Sequence, residues 1–322
     1  MRMPEPRGPL SEHVLEALAS PVHRLAGHPE IRAHSMTDDD LHLALYLCYE
    51  LHYTAIDDVD PGWEWEPSLL EFRRDMEDAF EKELTLTDSS FASEGDIAST
   101  LATLAESDSG CALGRYLEKN PSIERFKEFV AHRSAYQLKE ADPHSWVIPR
   151  LGGRAKAALI EIQSDEYGGG KVESMHAVLF RDTMRALGLD DSYGAYVRRL
   201  PGVTLAGVNL MSFFGLHRRW RGAIVGHLAL FEMTSTEPNR RYGNALRKLG
   251  FGRAATHFYD EHVEADAVHE AIAAHDLAGS LAREEPDIAA DIEFGARCLQ
   301  HLDELWCSHV IEAWEHGRSS LL

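Results

Sequence analysis

Strand signals are nearly absent from this chain of 322 residues. No Asn-Gly or Asp-Gly turn separates alternating apolar runs, and β-branched residues rarely cluster, which excludes a hairpin-built architecture. Long apolar runs are missing too. The most apolar stretch, Gly222 to Phe231, is interrupted by His227 and is far too short to span a bilayer. No basic segment followed by an apolar one marks a signal peptide. The four cysteines, Cys48, Cys111, Cys298 and Cys307, form no CxxC pair. They are too few for a disulfide framework, so a reducing, cytoplasmic setting is expected. Cations are scarce: 32 Lys and Arg face 53 Asp and Glu, a formal charge of −21. That negative field repels a phosphate backbone and an anionic lipid surface, so neither nucleic acid nor membrane is an expected partner.

What the sequence does have is helical periodicity and histidine. Leu41, Ala44, Leu45, Cys48 and Leu51 follow the three-and-four spacing of an amphipathic helix, with Asp38, Asp39 and Asp40 in its first turn. Leu69 to Leu84 and Ile97 to Leu104 read the same way, and the Pro61 to Pro67 stretch (PGWEWEP) is an aromatic connector. Further helices are predicted at Ser122 to Glu140, Leu151 to Glu166, Val172 to Leu187, Phe214 to Thr234, Ala254 to Leu277 and Ile288 to Trp314. The second of these stops at Gly168-Gly169-Gly170. No tandem repeat or low-complexity tract intervenes. The pattern is all-α, with a helical N-terminal region over 1–115 and a larger helical domain over 116–322. Eighteen histidines are the first hint of chemistry.

The sharpest local feature is His262-Val-Glu-Ala-Asp266-Ala-Val-His269. At about 100° per residue, Asp266 lies about 40° to one side of His262 and His269 about 20° to the other. Two imidazoles and a carboxylate therefore share one stripe, amid the small or apolar Val263, Ala265, Ala267 and Val268. Ionisable groups on an inward stripe are costly unless paired or coordinated to a metal. The oxygen and nitrogen donors suit Fe, Mn or Zn.

Two further segments add to this. Glu166 ends one helix and His176 lies in the first turns of the next. A carboxylate at a helix C-terminus faces the negative end of the dipole and gains from a nearby cation, which a metal would supply. Glu173, which forms an ExxH pair with His176, is the alternative ligand, and Glu166 is preferred. The GGGK stretch lacks the Ser or Thr and the glycine spacing of a phosphate loop. Glu232 sits inside an apolar run, where a bridging carboxylate would stand in a helical metal bundle. His227, five residues earlier, falls on another face and reads as a core histidine. A ferritin-like site needs two ExxH pairs, and only one is present.

The ordered set Glu166, His176, Glu232, His262, Asp266 and His269 resembles that of the haem-oxygenase-like diiron oxidases and oxygenases, the iron-containing redox enzymes. So do the ten-residue Glu-to-His interval and the stretches QLKEADPHSWVIPRL, IEIQSDEYGGG and YELHYTAIDDVDPGWEWEPSLLEFR. The resemblance covers most of the chain. It implies a haem-oxygenase-like helical bundle with a helical N-terminal extension, those six residues as ligands, and two irons per chain cycling between Fe(II) and Fe(III). The donors admit Mn as well.

As the resemblance has it, such a protein activates O2 as co-substrate, with an external electron donor. It would oxidise a small amine- or carboxylate-bearing metabolite by N-oxygenation, oxidative C–C cleavage or desaturation. No catalytic residue beyond the ligands is implied. Two other readings stay open: a thiaminase-like hydrolase using a pocket cysteine, and a non-catalytic acidic helical protein that binds a partner or metal. Lys139, Glu140, His144, Tyr167, His217, Arg218 and Arg219 could line a pocket but read first as structural. His257 and Asp260 lie off the motif, and His301, His309 and His316 read as surface residues. The Trp63–Trp65 loop is a partner contact or a cap. The oligomeric state is open, a homodimer included.

Overall fold

Helix is the only regular element among the residues that the computed structural model describes: 1–31, 35–54, 56–86, 96–107 and 111–322, without the side chains of Leu86, Cys111, Asp266 and Ala267. In chain order the first α-helices are α1 (Pro9–Leu18), α2 (Asp39–Glu50), α3 (Pro67–Leu86), α4 (Ile97–Ser107), α5 (Cys111–Lys119), α6 (Ile123–Gln137) and α7 (Asp142–Ser145). There follow α8 (Gly153–Glu166), α9 (His176–Ala186), α10 (Gly202–Leu216), α11 (Arg221–Lys248), α12 (Arg253–Ala271), α13 (Gly279–Glu284) and α14 (Ala289–Glu315). A π-helix, Ile272–Ala278, joins α12 to α13. The fold is all-α, as the periodicity implied. No helix among the described residues is long and apolar enough to cross a membrane.

The chain divides into two compact units, Met1–Ser90 with Ser192–Phe213 and Leu321–Leu322, and Phe91–Asp191 with Phe214–Ser320. In the first, the acidic triplet acts twice. Asp38 caps α2, accepting from the amides of Asp40 and Leu41 at 3.0 and 2.8 Å. Asp40 reaches across to accept from the amides of Leu10 and Ser11, at 2.9 and 2.7 Å, where α1 has no cap of its own. Trp63 of the aromatic connector is fully buried and donates its indole N–H to the Ser20 carbonyl at 3.0 Å, whereas Trp65 is exposed.

In the second unit α11 packs chiefly against α14 and α12. Gly226 and Gly295 make the first of these contacts possible. A Cβ on Gly226 would lie 1.8 Å from the Ile292 carbonyl oxygen, and one on Gly295 would lie 1.9 Å from that of Ala223.

Among the differences from the sequence expectation, three have a local reason. Helix α6 stops at Gln137, not Glu140, because Pro143 sits in the first turn of α7, where its missing N–H costs nothing. Helix α10 has no polar face, since Leu205, Ala206, Asn209, Leu210 and Ser212 are all buried, so it gives no amphipathic signal. The Phe214–Thr234 helix is interrupted by the 3-10 segment Arg218–Trp220, and α11 then continues through Pro238 to Lys248.

Candidate metal centre

Glu166 is the last residue of α8, and the three glycines after it all adopt positive φ, 64°, 59° and 81°. Gly168 is also crowded: a Cβ there would lie 2.6 Å from the Met175 amide nitrogen. The chain can thus double back on itself, and His176 arrives as the first residue of α9 with Nδ1 2.9 Å from Glu166 Oε2. Glu173 lies exposed in the short 3-10 turn Val172–Ser174, outside this buried group.

Helix α12 brings His262 and His269. The Nδ1 of His262 is 2.8 Å from the Phe258 carbonyl oxygen, which can only accept, so Nδ1 carries the hydrogen and, in the neutral ring, Nε2 presents its lone pair. That nitrogen lies 3.3 Å from Glu140 Oε1. A lone pair facing a carboxylate is repulsive unless a proton or a cation lies between them. His269 has Nδ1 3.3 Å from Glu232 Oε2 and Nε2 3.0 Å from Asp165 Oδ2. A carboxylate behind a histidine is the usual outer partner that orients a metal-binding ring. Asp266 lies on α12 between the two histidines, and its side chain is outside the described residues.

The donors fall into two groups. Glu140, Glu166, His176 and His262 each offer an atom within 4.8 Å of the others, and so do Glu166, Glu232 and His269. Glu166 belongs to both. All six residues are under a tenth exposed. Five of them were singled out from sequence as metal-ligand candidates.

Glu140 was not, having been read only as a pocket residue. It stands on the turn after α6, where no helical spacing links it to the rest. Two bonds tie that turn to α8. Gln163 donates Nε2 to the Ala141 carbonyl at 3.0 Å, and the Tyr167 hydroxyl donates to Asp142 Oδ1 at 2.8 Å. The available signal was the stretch KEADPH, a carboxylate just ahead of a proline turn between apolar segments.

The electrostatics are those of a buried cluster of negative charge. Burial raises the pKa of Glu232, partly offset by His269. For His269, burial works downward, but Glu232, Asp165 and Glu166 outweigh it and push the imidazole up to about 9. Tyr136 is driven well up by burial and by Glu140, Glu166 and Glu232, so it stays a neutral phenol beside the cluster. His144 and His227 form a separate neutral pair, Nε2 to Nδ1 at 3.2 Å. Burial lowers His144 to about 3 and also depresses His227. His227 is thus a buried, hydrogen-bonded histidine.

The cluster fits a divalent metal. Glu140 Oε2 is buried and has no hydrogen-bond partner, and carboxylate and imidazole donors match the preference of iron. Elsewhere, Arg218 and Arg219 are exposed, and Asp260 is engaged by Arg247 and Thr256.

The family model of iron-containing redox enzymes matches residues 127–304, more than half of the chain. This chain belongs to that family. The all-α fold agrees with that membership, and the matched span contains every residue of both donor groups. Over 148 residues it is also 26% identical to a nitrosourea synthase from Streptomyces achromogenes subsp. streptozoticus. That alignment covers 46% of this chain and 30% of the relative, so the chain matches less than a third of that protein's length.

Proposed function

We propose that this iron-containing redox enzyme is a nonhaem diiron oxidase or oxygenase, using O2 to oxidise a small amine- or carboxylate-bearing metabolite. The observation that carries this reading is Glu166, one carboxylate common to two buried donor groups, as expected of a bridge between two ions. Glu140, Glu166, Glu232 and, by resemblance, Asp266 carry four negative charges, which two Fe(II) would neutralise. Bound iron would supply reducing electrons to O2, and an external donor would restore them.

The chain's own groups hold the arrangement. The Phe258 carbonyl fixes the tautomer of His262, Asp165 orients His269, and Gln163 and Tyr167 pin the turn that carries Glu140. Tyr136 and Phe231 are among the walls of the cavity at the carboxylates. Among the three outcomes, the name nitrosourea synthase favours oxidation at nitrogen. The hydrolase alternative has less support: Cys48, Cys298 and Cys307 are buried, and none belongs to the cluster or its cavity.

The test is anaerobic loading with Fe(II), metal counting and measurement of O2 uptake. Two irons per chain with O2 consumption is the expected result, with both lost in His262→Ala at unchanged helicity. A well-folded protein that retains neither Fe(II) nor Mn would overturn the proposal.

A further inference from the structure

Two spaces adjoin in the second unit: the cavity at the carboxylates and a cleft that opens to solvent. Phe231 and Ser235 line both, so they form the partition. Three polar residues of the cleft wall keep one register with the cluster. Gln137 lies three residues before Glu140, Ser235 three after Glu232, and Tyr259 three before His262. On α11 and α12 that offset keeps both residues on one face, a turn apart. Three donors of the cluster thus each have an oxygen-bearing neighbour on the cleft side.

The fold leaves two of these oxygens unused. Gln137 Oε1 and the Tyr259 hydroxyl have no hydrogen-bond partner, in side chains more than nine-tenths buried. A buried oxygen without a partner costs stability unless something bonds it, so the two point to an occupant. Burial holds the Tyr259 phenol well above its ordinary value, so its oxygen is neutral. The Ser235 hydroxyl donates to the Glu232 carbonyl at 3.3 Å, which leaves its oxygen able to accept.

Size limits what that occupant is. The cleft has a volume of about 60 Å³ and the cavity about 10 Å³. A water needs about 10–15 Å³ on that measure, so the cleft holds about five and the cavity one at most. What passes between them is a water or an ion. An ion that travels with about six waters gives most of them up before it reaches the carboxylates. Charge narrows the choice further. An anion would run into Glu140 and Glu232, whereas neutral oxygens followed by carboxylates suit a divalent cation. Arg133, the cation on the cleft wall, is offset: its guanidinium lies 3.7 Å from Asp303 Oδ1 and over the Trp306 ring at 4.1 Å.

We propose that Gln137, Ser235 and Tyr259 form an inlet site for the divalent ion, which takes it from the cleft, replaces part of its water and passes it on to Glu140 and Glu232. The proposal rests on reading the carboxylate cluster as a metal centre. Phe231 is the flap that the ion passes, its ring packed edge-on against Tyr136 at 5.5 Å and parallel to His227 at 6.2 Å.

The experiment mixes Co(II), whose visible bands report coordination, with the full metal-free chain in anaerobic stopped flow. Co(II) and Fe(II) held at equilibrium are counted after dialysis. Uptake should slow at least threefold in Tyr259→Phe and in Ser235→Ala, and at least tenfold in the double variant. Affinity should hold within twofold, because an inlet changes loading and release by the same factor. Phe231→Leu, with a smaller flap, should load faster than the parent. Asp303→Asn uncovers the Arg133 charge and should slow uptake several-fold, more at low salt than at high.

Tyr259→Phe removes a hydroxyl that bonds nothing, so it should keep the fold. If Phe231→Leu does not, the Tyr259 and Ser235 variants decide. A double variant that loads at the parent rate with normal occupancy sinks the inlet alone. So does one whose affinity falls as far as its rate, since these residues would then support the final metal site. A parent chain that holds no metal at equilibrium sinks the metal centre, and the inlet with it.

Discussion

The first unit and the carboxylate cluster of the second both bury carboxylates, and they deal with them in opposite ways. In the first, Glu50 accepts from the Tyr193 hydroxyl at 2.7 Å, and Glu77 accepts from the Tyr49 hydroxyl at 3.0 Å with the Arg73 guanidinium 3.3 Å away. Each has found donors that are always protonated at working pH. In the second, Glu140, Glu166 and Glu232 face the imidazoles of His262, His176 and His269. His269, raised to about 9, brings one positive charge to three carboxylates, and a neutral His262 would point its lone pair at Glu140. The first arrangement is complete as protein, whereas the second calls for added positive charge. Burial of an acidic residue is therefore no mark of function; the mark is burial with too little positive charge to match.

The strongest way to break this contrast is Glu166→Ala. Because Glu166 serves both donor groups, iron affinity should fall by more than about 100-fold, beyond the loss caused by removing an outer partner. Metal counting after dialysis checks it, and two irons retained would show that the groups do not share a carboxylate.

Next come two conservative changes with opposite signs. Glu77→Gln should cost about 3 kcal/mol, because Arg73 loses its buried partner, with iron content unchanged. Glu140→Gln should stabilise the metal-free protein by about 1 kcal/mol, since an amide N–H can donate to His262 Nε2, while iron binding weakens. Urea melts of metal-free samples measure both.

A smaller effect is the pH profile of metal-free stability. His269, raised to about 9, contributes stability that is complete below its ordinary value and is lost as pH rises toward 9. His144, lowered to about 3, contributes stability present above its ordinary value and lost as pH falls toward 3. Metal-free stability should therefore peak near the ordinary histidine pKa of about 6.5. His269→Gln should flatten only the alkaline side, and bound iron should do the same by displacing the proton. The smallest effect is expected of the exposed Glu173: in Glu173→Gln iron content should hold, with stability within about 0.5 kcal/mol.

Much of the site was legible because it is written in local chemistry. The HxxxDxxH spacing needs only helix geometry, and Glu166 and His176 flank a triple-glycine stop that forces the chain to reverse. Glu140 escaped because its position comes from tertiary bonds, through Gln163 on α8 and Tyr167 just after it, which no spacing encodes. The fold was legible as all-α for the same reason that α10 was missed. Periodicity reports helices that are half wet, and α10 is buried on every side. The assignment of Ser192–Phe213 to the first unit had no counterpart in composition or linker signals.

The paired glycines of α11 and α14 carry a practical consequence for anyone altering this protein. Gly226 stands six residues before Glu232 on the same rod-like element. Filling that groove with even a methyl group would wedge the two helices apart and lever the acidic side chain out of register. An alanine scan would then flag Gly226 and Gly295 as though they were ligands, although neither has an atom to offer a metal. Libraries for changing what the protein acts on are best kept off this seam and confined to residues facing empty space.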